Sequence, residues 1–119
     1  PEELEGVCLE SFILQEIRAL NAYRDWGYTL SFWRTATGQE VDIVCYGDAG
    51  FYAIEVKRNR TVSAKHLSGL KSFREDYPEV TPYLVYGGDD KLEIDGIKII
   101  PVRVFLRDIE HYLSGVSHV

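Results

Sequence analysis

A chain of 119 residues, 45% apolar and 27% charged, can bury one core but not two, and it is too apolar to remain disordered. No apolar run approaches the roughly 20 residues that span a bilayer, so a soluble, cytoplasmic, single domain over residues 1–119 is expected, with no membrane partner. The net charge of −6 excludes an evenly basic nucleic-acid binder, and Cys8 and Cys45, each alone in an apolar segment, read as two buried reduced thiols.

The first helix is predicted from about Leu4 to Asp25, because Leu9, Ile13, Ile17 and Leu20 recur at spacings of three and four. Val7, Cys8, Phe12 and Leu14 widen the apolar surface beyond one stripe, which implies burial on more than one side. Glu10 and Glu16 lie at the edges of that surface, so at least one of them should be partly buried. Gly27 ends the helix.

Three runs rich in aromatic and β-branched residues follow: Tyr28 to Arg34, Glu40 to Tyr46 and Phe51 to Lys57. Thr37-Gly38 and Gly47-Asp48-Ala49-Gly50 separate them and suit hairpins, which gives an antiparallel meander. A second helix is predicted from about Ser63 to Asp76, with Ser63 as its N-cap and Pro78 beyond its end. Strands at Thr81 to Tyr86 and Ile97 to Val102, then a last helix from about Val104 to Leu113, complete an α/β sandwich in the order α-β-β-β-α-β-β-α, with a mixed sheet.

Chemistry concentrates on the second and third strands. Alternation puts Ala53, Glu55 and Lys57 on one face and Tyr52, Ile54 and Val56 on the other. If the hairpin is symmetric about Asp48-Ala49, Asp42 falls opposite Glu55. Two like charges so placed repel by a few tenths to about 1 kcal/mol. A hard divalent cation, Mg²⁺ or Mn²⁺, gives a reason to keep them there. Lys57 could then offset developing negative charge or help deprotonate an attacking water, and Glu10 could supply a third carboxylate through a metal-bound water.

The basic residues are also localised. Lys57, Arg58, Arg60, Lys65, Lys71 and Arg74 fall in the segment 57–74, which holds no Asp or Glu, whereas the remainder has 7 basic against 19 acidic residues. Arg58, Arg60, Lys65, Lys71 and Arg74 are therefore candidates to grip backbone phosphates, DNA in the first instance and RNA in the second. Arg34 is a candidate phosphate contact, or alternatively an ion-pair partner of Glu40. His66, near Lys65, reads first as a structural histidine.

The segments CLESFILQEIRAL, FWRTATGQEVDIVCYG, FYAIEVKRN and LKSFREDYP resemble, in order and spacing, the PD-(D/E)XK nuclease-like domain at the C-terminus of the DUF4143 group of prokaryotic P-loop ATPases. The resemblance implies a restriction-endonuclease-like core. It also implies a Mg²⁺-dependent phosphodiester-cleaving site in which Glu10, Asp42, Glu55 and Lys57 fall on the family's site positions. Within that superfamily such domains also serve as interaction or regulatory modules. The chain has no methionine and no G-x4-G-K-[ST] motif, so it is expected to be the C-terminal piece of a longer polypeptide whose ATPase domain lies upstream and is a partner.

Overall fold

The computed structural model describes residues 2–115. Helix α1 (Glu2–Tyr23) leads into a meander of β1 (Thr29–Arg34), β2 (Glu40–Gly47) and β3 (Gly50–Lys57). Helix α2 (Ala64–Asp76) crosses over to β4 (Thr81–Tyr86), and β5 (Leu92–Ile94), β6 (Ile97–Pro101), α3 (Val102–Arg107) and α4 (Ile109–Leu113) follow. The six strands lie in the order β1-β2-β3-β4-β6-β5. Parallel pairing joins β3 to β4 and β4 to β6, and the other neighbours are antiparallel, so the sheet is mixed as expected.

Alternation along the strands feeds two cores. On one face Ile43, Ile54, Val56 and Val85 pack with Ile13 and Ile17 of α1 and with Phe105, Ile109 and Leu113 of α3 and α4. On the other, Val44, Ala53, Leu84 and Ile99 pack against Leu67, Leu70 and Phe73 of α2. The sheet is the middle layer of three, and its central strands are apolar on both faces, as buried parallel strands require. No described helix is long and apolar enough to cross a membrane.

Three expectations are corrected. Strand β5 was not anticipated: Asp95 and Gly96 both adopt positive φ, 52° and 79°, and close a two-residue hairpin between β5 and β6. The last helix is two short ones, broken at Asp108 with φ −117° and ψ 28°, and it starts earlier, directly after Pro101. The order is therefore α-β-β-β-α-β-β-β-α-α. Finally, α1 buries one stripe rather than two sides. Ile13 and Ile17 are fully buried, whereas Val7, Phe12 and Cys8 are exposed, so only Cys45 is a buried thiol.

Two close backbone approaches set the geometry around the ends of β2 and β3. A Cβ on Gly69 of α2 would collide with the carbonyl oxygen of Glu40, so this glycine lets the helix lie against the start of β2. Beyond β4, Gly87 donates its N–H to Asn59 O at 2.9 Å, and a Cβ there would strike Arg58 O. The connection after β3 is thus fastened to the end of β4.

Alanine in place of glycine inside a helix ordinarily stabilises by up to about 1 kcal/mol. Gly69→Ala should do the reverse, costing on the order of 2 kcal/mol as α2 is pushed off β2. Urea unfolding measures it, and a variant as stable as the parent would show that α2 does not need this approach.

Candidate functional site

The β2–β3 ladder has the anticipated register, with Ile43 opposite Ile54, Val44 opposite Ala53 and Cys45 opposite Tyr52. The ladder ends at Ile43 and Ile54. Beyond it, side chains replace main-chain acceptors: the Asp42 N–H donates to Glu55 Oε1 at 3.1 Å, and the Val56 N–H donates to Asp42 Oδ2 at 2.8 Å. Each carboxylate therefore satisfies a backbone donor on or beside the other's strand.

A bulge in β2 re-aims Asp42. Between the pairs Ser31–Val44 and Trp33–Val41, β1 contributes Phe32 alone and β2 contributes both Asp42 and Ile43. Val41 is consequently returned to the α2 side, where it joins Val44 and Ala53 in the core. Strict alternation could not foresee this extra residue.

Glu55 is 4% exposed and is the only buried charged residue among those described. Desolvation, reinforced by its hydrogen bond to the Asp42 side chain and by that group's charge, pushes its carboxyl well above the ordinary range; nearby Lys57 opposes the shift. The Lys57 Nζ lies 3.9 Å from Glu55 Oε2 and is partly open to solvent. Glu10 on α1 is half-buried, as expected of one of the two helix glutamates. Its carboxyl is raised by desolvation and then by the charges of Asp42 and Glu40, against Arg34 and Lys57.

Three adjoining grooves meet here. A groove of about 720 Å³ runs between α1 and the end of β3, lined by Glu10, Glu40, Asp42, Lys57, Arg58 and Arg60 among others. A second, of about 230 Å³, shares Glu10, Glu40 and Asp42 and continues past Arg18, Phe32 and Arg34 along β1. A third, of about 320 Å³, lies on the α2 side with Glu40, Glu55, Lys57, Asn59, Lys65 and His66. Asp42 thus opens toward α1 and Glu55 toward α2, while the two touch through the gap where the ladder ends. Among the described residues, no three His, Cys, Asp or Glu side chains converge as a ready set of metal ligands.

The basic residues divide. Lys57, Arg58, Arg60 and Lys65 border the grooves. Arg60 Nη2 is also bound to Asp89 Oδ2 at 2.6 Å, and Lys71 Nζ to Asp95 Oδ2 at 2.6 Å. Arg74 lies near the same Asp95 and contributes to depressing its carboxyl, behind the larger effect of Lys71. Arg34 Nε is 3.5 Å from Glu40 Oε2, the ion-pair alternative raised for it. His66 accepts the Ser63 N–H on Nδ1 at 3.2 Å at the start of α2, a structural role.

Among the lining residues that were not foreseen, two are polar and shared between grooves. Glu40 borders all three grooves, and Asn59 borders the first and third. The repeated acid in Glu40-Val41-Asp42 was the available signal for the first; nothing local marked the second, which reaches the site because Gly87 holds it there.

An α/β domain with an acid-floored cleft and a partly basic rim is the class that fold and site define. A family model, described as a domain of unknown function, DUF4143, matches residues 5–105, and the chain belongs to that family. No match to a curated protein was found.

The raised Glu55 carboxyl has a definite consequence for stability. The folded chain keeps this proton to higher pH than the unfolded chain does. The associated stability is therefore complete below the unfolded carboxylate range and is lost as pH rises through the higher folded value. In chelator, Glu55→Gln should keep both hydrogen-bonding roles without the charge, flatten that decline, and melt roughly 4 °C or more above the parent at about pH 8. Melting curves across pH test this; parallel profiles for parent and variant would rule out a proton retained on Glu55 in the folded chain.

Proposed function

We propose that this domain is a PD-(D/E)XK-type, Mg²⁺- or Mn²⁺-dependent phosphodiesterase acting on nucleic acid. The observation that carries the reading is the buried Glu55 carboxyl held against Asp42 beside Lys57, where the grooves on the two faces of the sheet meet. A fold has little reason to bury two acids together when an apolar pair would pack at lower cost. The donor set suits a hard divalent ion, which commonly takes one or two carboxylates and completes its shell with water and phosphate oxygens. The mixed sheet, with α1 on one face and the crossover helix α2 on the other, agrees with the nuclease-like core.

In this reading Asp42 and Glu55 would hold the cation, Glu55 as its carboxylate with the proton lost to solvent. When bound, the ion supplies charge stabilisation at the phosphate and lowers the pKa of water. Lys57 Nζ faces the charge that develops on the phosphate oxygens. Glu10, whose raised carboxyl borders the same groove as Asp42, would take the proton of the attacking water as that oxygen bonds phosphorus, while the leaving sugar oxygen would take a proton from solvent as its bond to phosphorus breaks. Arg58 and Lys65 contact the flanking phosphates, with Arg60 available when it leaves Asp89 and Arg34 when it leaves Glu40. Lys71 and Arg74 lie farther along α2.

A second reading is an interaction module that docks on a P-loop ATPase domain and retains the acids as relics. Exposed Val7 and Phe12 on α1, 59% and 44% accessible, favour it, since an apolar helix surface of this kind is often covered in an assembly.

Calorimetry with Mn²⁺ separates the two. The parent chain should bind one ion per domain with release of a proton near neutral pH. Asp42→Asn keeps an acceptor for the Val56 N–H but should weaken binding at least about tenfold and abolish Mg²⁺-dependent cleavage of a labelled oligonucleotide. Equal ion binding by parent and variant would favour the docking module.

A further inference from the structure

The cleft does not end at the acids. The groove shared by Glu10 and Asp42 continues along β1 to Ser31 and Phe32, and these two residues also border a fourth groove of about 420 Å³ that reaches Trp33, Tyr46 and Tyr77. Phe32 is 66% exposed and Tyr46 61%, the kind of open aromatic surface that a fold leaves uncovered for a partner. The Arg34 guanidinium lies 5.1 Å from the centre of the Phe32 ring, so a cation and an aromatic face are already paired at the junction. Phe32 also stands opposite the bulge that carries Asp42, which ties its position along the sheet to that of the acid.

The charge pattern is equally selective. The affinity of a duplex binder rests on how many phosphates its cations neutralise, about 6–10 contacts in a strongly salt-dependent case. Here Arg60 and Lys71 are each matched by a carboxylate 2.6 Å away, and the whole chain carries −6. Even if those exposed pairs open, Asp89 and Asp95 remain beside any phosphate that replaces them.

We propose that the cleft takes single-stranded nucleic acid, with the exposed Phe32 ring as the stacking platform for a base adjoining the phosphate at Asp42 and Glu55. The proposal rests on the phosphodiesterase reading and adds its substrate class. A duplex keeps its bases stacked on one another and offers no free ring face to Phe32, whereas a single strand offers every base in turn and needs fewer phosphate contacts. Continuity with the acidic cleft, rather than the apolar surface alone, selects this occupant over a protein.

The test measures anisotropy of a labelled oligothymidylate of about 12 nucleotides and of a duplex of equal length, with the full 119-residue chain in Ca²⁺, and cleavage in Mg²⁺. The single strand should bind more tightly than the duplex, with a log–log salt slope no steeper than about −2. Phe32→Ala should weaken single-strand binding at least about fivefold without changing the melting temperature, and Phe32→Trp should restore it. Tighter duplex binding, or no effect of Phe32→Ala on the single strand, overturns the proposal, as does a dimer whose interface buries Phe32. Loss of cleavage on every substrate, with Phe32-dependent single-strand binding intact, would overturn the phosphodiesterase reading and leave the stacking platform standing.

Discussion

The contact on which the site depends is that between the Glu55 and Asp42 carboxyl groups. Burial of Glu55 to 4% exposure would be prohibitive for an isolated anion, and the structure offsets it in three ways. A backbone N–H from Asp42 reaches one oxygen, the Lys57 amine lies near the other, and burial raises the carboxyl toward its protonated form. The same contact explains why the β2–β3 ladder stops where it does. Two main-chain donors that would have paired with carbonyls, those of Asp42 and Val56, are satisfied by side-chain oxygens instead.

The remaining architecture holds that gap in place. Gly69 lets α2 close against Glu40 from one side, while α1 approaches from the other and brings Glu10 into the cleft. Gly87 fixes the turn after Lys57. The Asn21 side chain bonds both main-chain polar groups of Tyr28, at 3.0 and 2.9 Å, and so sets how α1 turns into the sheet. The C-terminal helices are secured by the hydroxyl of Tyr83, which donates to Tyr112 O at 2.8 Å across the core.

Much of this was legible in the chain because it follows from period and punctuation. The β2–β3 register follows from a short turn and alternating apolar residues, and the faces of Tyr52 to Lys57 follow from strict alternation. What escaped depended on non-local geometry. The bulge at Asp42 and Ile43 is visible only against β1, and the neutralising carboxylates of Asp89 and Asp95 come from turns far along the sequence from Arg60 and Lys71. The apolar width of α1 was read as burial, yet composition cannot distinguish a surface covered within the domain from one left open. The β5–β6 hairpin was a different matter, since Asp95-Gly96 carried a recognisable turn signal between apolar residues.

The acids and the bases of the cleft belong to different parts of the fold. Glu10, Asp42 and Glu55 sit on a helix and two strands whose neighbours form the core, whereas Arg58 and Arg60 occupy the exposed connection between β3 and α2, held at Gly87 and by the Arg60–Asp89 ion pair. Substitutions in that connection can accumulate with little penalty to folding, while almost any change at Glu55 alters the balance of the whole sheet. Descendants of this sequence can therefore drift in what they grip faster than in what they do to it, and a lineage that lost its chemistry would still have thermodynamic grounds to keep the acids' hydrogen bonds.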